Sequence, residues 1–277
     1  MSDKTRARGR QDLYDGFTEA DSADTPQEMY DYLDAVDTLP AFRWYKRELR
    51  SLLAPGPGDR LLDVGCGAGT EACRLAGEYP AVNVLGLDRK AMLAEAEKRA
   101  ERLGVTVTWL EGEAEAIPLA ADTVDACMTE RVLKYLPDPA AAIAEMVRVL
   151  RPGGRIACLE LDMAATVLAG EPGITGRVLE FACANVGEPR MGRRLPRMLH
   201  DAGVARVRFQ PVAFHMPRAL NEAILYTTVR AAAEDGRLPA AGTAAWLDEQ
   251  AAADADGLFT VAWIGWLVAG RVPHPPG

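Results

Sequence analysis

The stretch Leu61-Leu-Asp-Val-Gly-Cys-Gly-Ala-Gly69 constrains this chain more than any other. An apolar run ends on glycines at 65, 67 and 69, and Thr70 to Glu78 then continues at helical spacing. A strand that turns through glycines into a helix lets a ligand approach the backbone and meet free N–H groups at the helix start. Asp88 closes the next strand-like run, Asn83 to Leu87, where a carboxylate accepts from both ribose hydroxyls of an adenosine. Strand, glycine turn, helix, strand and acid together predict a nucleoside site.

The surrounding pattern predicts the fold that such a site needs. Strands are expected at Arg60 to Val64, Asn83 to Leu87, Val105 to Leu110, Val124 to Met128 and Arg155 to Leu161. Helices are expected at Thr70 to Glu78, Ala91 to Leu103 and Ala140 to Leu150. This alternation predicts a parallel sheet covered on both faces. A helix ending at Ala202-Gly203 leads to two more runs, Val204 to Phe214 and Leu258 to Gly270, which pair antiparallel for want of a simple crossover. The expectation is an α/β, Rossmann-like, seven-stranded and mostly parallel sheet with an antiparallel last strand pair. Residues 1–54 form an N-terminal helical cap, in which Met29, Tyr30, Leu33 and Val36 share one face, and Pro55-Gly-Pro-Gly58 ends it. Residues 55–277 form the nucleoside-binding domain, with a helical insertion at about 215–257.

Charge and cysteine usage narrow the partners. Lys plus Arg is 31 against 40 Asp plus Glu, and a net charge of -9 repels a phosphate backbone, which argues against nucleic acid. The five cysteines, 66, 73, 127, 158 and 183, form no CxxC pair, so they suit a reducing compartment and offer no zinc site. Cys127 and Cys158 lie in apolar runs as small core residues. Met1 to Gln11 is charged and lacks the apolar stretch of a secretory signal, so a cytoplasmic location is expected. The run ending at Gly270 falls short of the ~20 residues of a membrane helix and is expected as a buried strand.

Two features separate the candidate nucleosides. The dinucleotide fingerprint G-x-G-x-x-G would need a third glycine where Thr70 stands, and Asp63 at the mouth of the loop suits an ammonium or sulfonium better than a pyrophosphate. S-adenosylmethionine carries both cations. Arg89-Lys90 would instead suit the extra phosphate of NADP, which keeps an NAD(P)-dependent oxidoreductase as an alternative.

Asp63-Val-Gly-Cys-Gly-Ala-Gly69 resembles the first motif of the class I S-adenosylmethionine-dependent methyltransferases. The resemblance continues through Leu85-Gly-Leu-Asp88, Glu111 to Leu119, Asp122 to Asp125 and Arg148-Val-Leu-Arg-Pro-Gly-Gly154. It is nearest to the ubiquinone/menaquinone-biosynthesis type acting on small molecules, and Gly192-Arg193-Arg194-Leu195 and Val268-Ala-Gly-Arg271 extend it. It implies S-adenosylmethionine as cofactor and methyl transfer to an apolar or aromatic metabolite. By position, it implies that the backbone from Gly65 through Cys66, Gly67 and Ala68 lines the methionine part, with Asp63 on its amine. It implies Asp88 on the ribose, Glu113 on the adenine amino group, Ala114 N–H on the ring and the Glu130 carbonyl on the ammonium. Arg89 departs from the pattern, standing where an apolar residue under adenine is common, and an Arg can stack on adenine through its planar face. Tyr135 stands where relatives often carry a His.

The catalytic group is less defined. His215, after the sixth strand, is a candidate base or an ordinary polar residue. Asp162 ends the fifth strand, on the side where open parallel sheets bind ligands, and is a candidate substrate contact or a turn cap. Tyr14, Phe17, Tyr30, Tyr32, Trp44 and Tyr45 are expected either as an aromatic lid or as packing for a helix pair. A non-methylating use of the same cofactor fold, as a ring-forming catalyst or a regulator, stays open.

Overall fold

The computed structural model describes residues 26–275 of the 277. Two helices, α1 (Pro26–Asp37) and α2 (Pro40–Leu53), precede the sheet. In α2, Phe42, Tyr45, Leu49 and Leu53 recur at helical spacing, are buried and form the seam against the sheet. Ala54 in the left-handed conformation (φ 44°) ends it.

The alternating part follows as β1 (Arg60–Val64), α3 (Thr70–Glu78), β2 (Asn83–Asp88), α4 (Lys90–Leu103), β3 (Thr108–Glu111), β4 (Val124–Glu130), α5 (Pro139–Val149) and β5 (Leu150–Leu161). Asp138 caps α5, its side chain accepting from Ala140 N–H and Ala141 N–H at 3.1 and 3.0 Å. Then come β6 (Val167–Leu168), α6 (Pro172–Ala184), α7 (Met191–Asp201) and β7 (Ala205–Phe214). A helical insertion holds α8 (Arg218–Asn221), a π-helical turn at Glu222–Tyr226, α9 (Thr227–Glu234) and α10 (Ala240–Ala255), before β8 (Val261–Arg271). The sheet order is β3-β2-β1-β4-β5-β8, with β7 beside β8. The first five strands run parallel, and β8 runs antiparallel to both β5 and β7.

The expected strands are all present, although β5 begins at Leu150, which pairs with Val124, rather than at Arg155, and β8 begins at Val261 rather than Leu258. An eighth strand, the two-residue β6, pairs with Val261 and Ala262 of β8. Strand β3 starts at Thr108 rather than Val105, because it pairs only with β2 and its register begins at Leu85 opposite Thr108. Helix α6 is absent from the sequence reading. Its first five residues include Gly173 and Gly176, poor interior residues, behind Pro172 at the first position, and it is secured by Glu171 accepting from Gly173 N–H and Ile174 N–H. Cys127 and Cys158 are fully buried. Among the described residues no helix is long and apolar enough to cross a membrane.

Candidate active site

The glycine turn is shaped by close approach. Gly65 has φ 71°, and a Cβ there would stand 2.4 Å from Val132 Cγ2. Its N–H and that of Cys66 both donate to Leu87 O, at 2.8 and 3.0 Å, which ties the turn to β2. Gly69 (φ 73°) opens α3, and a Cβ on it would meet Ala96 and Trp109 at 2.8 and 2.9 Å. Only glycine fits either place.

Asp88 ends β2 beside this turn. Its Oδ2 accepts Gly67 N–H at 2.7 Å and its Oδ1 accepts Arg89 N–H at 2.8 Å. Burial raises its pKa, and the two N–H groups work against that rise. A carboxylate has about four acceptor positions, so two remain for a pair of ribose hydroxyls. Asp88 lines a cavity of about 840 Å³, together with Gly65, Gly67, Arg89, Glu113 and Ala114. The same cavity runs on to Phe181, Phe214, Met216, Ile224 and Trp263, where the wall is apolar.

A second, polar cavity of about 80 Å³ adjoins the first, and Gly65, Gly67, Glu130 and Arg131 border both. Asp63, Glu71, Glu130 and Lys46 line it. Lys46 Nζ lies 3.3 Å from Glu130 Oε2 and 3.6 Å from Glu71 Oε2, and Arg50 pairs with Glu71 from above. Burial works against ionisation of Glu130, but Lys46, Arg131 and the Tyr45 hydroxyl hold its pKa below the usual range. At Asp63 Lys46 pulls the same way but is outweighed. Burial, reinforced by Glu71 and Glu130, pushes its carboxyl well above the ordinary value. A cation placed beside Asp63 would lower that pKa and let its carboxylate form. A pyrophosphate facing Asp63, Glu71 and Glu130 would be repelled.

The other expected residues are placed as follows. Cys66 is buried in the turn, and Ala68 O accepts Arg99 Nε–H at 2.8 Å. Asp162 does not line the cavity: it is 1% exposed and closed by the Arg193 guanidinium, with Nη2 2.8 Å from Oδ1. His215 is also turned away. Strand alternation aims Phe214 and Met216 into the cavity, while His215 is exposed with Nδ1 3.1 Å from Val261 O. Tyr32 lines the cavity, Tyr30 donates to Ala91 O at 3.3 Å, Tyr45 is fully buried and Trp44 lies at the surface. Tyr14 and Phe17 lie outside the described residues.

Lys46, Glu71, Arg131 and Lys134 escaped the sequence reading. Each is a charged residue in a helix or loop, where residue type alone predicts a solvated side chain. Arg131 stands out only in the structure, where it directly follows the strand that ends at Glu130 and adopts φ 60°.

Known proteins carry the same pattern. A family model described as a methyltransferase domain matches residues 62–158. An uncharacterised 37.1 kDa protein in transposon Tn4556 of Streptomyces fradiae is 35% identical over 237 residues, 82% of this chain and 67% of that one. A ubiquinone/menaquinone biosynthesis C-methyltransferase of Roseobacter denitrificans is 37% identical over 138 residues, 48% of this chain and 54% of that one. The matched stretch thus spans about half the length of that relative. The cyclase SpnF superposes with a TM-score of 0.55 at 24% identity, covering 85% of this chain and 82% of that one, which speaks to the fold.

Proposed function

From the premise that the chain belongs to the class I S-adenosylmethionine-dependent methyltransferases, we propose that it transfers a methyl group from S-adenosylmethionine to a small apolar or aromatic acceptor. One observation carries this reading: a single cavity runs from Asp88 and Glu113 to the apolar wall of Phe181, Met216, Ile224 and Trp263. Its volume, about 840 Å³, is near the upper part of the ~300–1,000 Å³ range of ligand pockets, so a cofactor and an acceptor both find room. When bound, the sulfonium supplies an already activated methyl group. The protein therefore positions the partners and keeps water out.

In this reading Asp88 takes the ribose hydroxyls and Asp63, with the Glu130 carbonyl, takes the ammonium. Glu113 and the Ala114 N–H meet the adenine, and Arg89 lies beside it. The backbone of Gly65 to Ala68 borders the methionine part. Helices α1 and α2 act as the lid, with Met29, Tyr32 and Phe42 on its inner face. The acids around the small cavity weigh against the NAD(P)-dependent alternative. A second reading, ring closure without methyl transfer, is favoured only by the fold shared with SpnF.

Calorimetry with S-adenosylhomocysteine, with NADP as control, tests the cofactor. Micromolar binding of the first that weakens about 100-fold or more in Asp88→Ala supports the reading, since two charged hydrogen bonds at about 1.5–3 kcal/mol each are lost. Binding of NADP alone sinks it. Release of S-adenosylhomocysteine during turnover separates methyl transfer from ring closure.

A further inference from the structure

Lys134 is a buried cation that the roles above leave unused. It sits on the short helical turn Leu133–Tyr135, between β4 and α5, and lines the large cavity while only 2% exposed. An ammonium carries three N–H donors. Here Nζ donates to Arg131 O at 3.0 Å and stands 4.1 Å from the centre of the Tyr135 ring. Glu160 Oε2 is 3.8 Å away, beyond hydrogen-bond reach. Glu160 is itself engaged from β5, its Oε1 accepting Leu133 N–H at 2.6 Å and its Oε2 accepting Leu161 N–H at 3.3 Å. The lysine is thus held in place with its hydrogen-bonding capacity incompletely used, among the residues that line the large cavity.

Its charge is correspondingly weak. Burial lowers the Lys134 pKa to about 8, with Glu160 and Glu130 pulling upward and Arg131 adding to the fall. A neutral amine is therefore accessible near neutral pH, as a general base requires. The same surroundings select the acceptor. Arg131 lines the same cavity but is paired with Glu130 at 3.0 Å, so a phenolate formed there would be met chiefly by the Lys134 ammonium, and an amine cation would be repelled by it.

Resting on the methyl-transfer reading, we propose that Lys134 receives the proton of a phenol or hydroquinone hydroxyl bound in the large cavity. The acceptor O–H bond breaks, the proton joins Nζ to make the ammonium, and the electron pair stays on oxygen as the nucleophile. Glu160 stabilises the ammonium so formed from 3.8 Å. In this scheme Lys134 supplies the base sought at His215.

The test uses the chromogenic phenol 4-nitro-1-naphthol, whose phenolate band is read across pH on the whole protein, without any cofactor. In wild type the midpoint of the bound probe falls by about one pH unit or more below that of the free probe, as a nearby cation produces. Lys134→Met shrinks this fall to whatever Arg131 alone contributes, while S-adenosylhomocysteine affinity stays as in wild type. Should Lys134→Met alone fail to fold, the double variant with Glu160→Gln removes both charges together and answers the same question. Equal midpoints in wild type and variant overturn the assignment, and so does a wild type that leaves the probe unbound. Absence of S-adenosylhomocysteine binding in wild type would instead strike the methyl-transfer reading, and the ionisation of the probe would still report on Lys134.

Discussion

Lys46 Nζ lies 3.1 Å from Asp37 Oδ1 and 3.3 Å from Glu130 Oε2, so one side chain of α2 joins the end of α1 to the end of β4. Lys46 and Glu130 are both nearly excluded from solvent. The cap and the small cavity are therefore electrostatically one unit, and several of the following expectations come from that fact.

Lys46→Met leaves Asp37, Glu71 and Glu130 short of their shared cation. Removing one partner of a buried ion pair costs about 3–5 kcal/mol. Urea unfolding should show a loss of that order, and a midpoint equal to that of wild type would contradict the network.

Asp63→Asn should separate binding from stability. Burial raises the folded pKa of Asp63, so its stability contribution is full below the ordinary carboxylate value and is lost as pH rises through the folded value. At neutral pH the amide removes that cost, and the Tm should rise. Affinity for S-adenosylhomocysteine should fall roughly 10–100-fold, the loss of one charge-assisted hydrogen bond. A lower Tm with unchanged affinity would refute the assignment.

Asp37 behaves in the opposite sense. Burial would raise its pKa, but Arg74 and Lys46 overcome this and hold it at about 2. Its contribution is present above the ordinary value and is lost as pH falls from about 4 through about 2. Urea midpoints measured down that range should drop less steeply in Asp37→Asn than in wild type.

Gly65→Ala carries two separate penalties. One is the contact with Val132, and the other is the left-handed backbone, worth roughly 1–2 kcal/mol for a residue with a Cβ. Adding Val132→Ala should recover the first and leave the second. Full recovery of stability, by thermal melts, would show that the backbone conformation costs nothing.

His215→Ala should keep the turnover number within about twofold, because general-base loss typically costs about 100-fold or more and the ring is turned out of the cavity. A hundredfold drop would return His215 to the mechanism.

The part of the fold legible in the sequence is the part governed by local rules. Glycines at 65 and 69 mark the turn, and Asp138-Pro139 marks the start of α5. The run ending at Gly270 marks β8 by its burial alone, because both its backbone edges are paired. What stayed hidden depends on distant partners. Asp162 resembles a ligand contact until Arg193, 31 residues on, closes it. Lys134 resembles a solvated lysine until β5 brings Glu160 beside it. Helix α6 contributes Phe181 and Ala182 to the cavity, yet its glycines conceal it.

Strand β7 has β8 as its backbone neighbour, and β5 meets β8 along its other edge, with the whole helical insertion lying between β7 and β8 in the chain. During synthesis both edges are consequently bare until that insertion has emerged, an interval of several seconds at about 5–20 residues per second. A nascent chain with two unpaired strand edges is open to wrong partners for that time. Slower translation through α8 to α10 should accordingly lengthen that exposure, and chaperones that cover bare strand edges should limit its consequences.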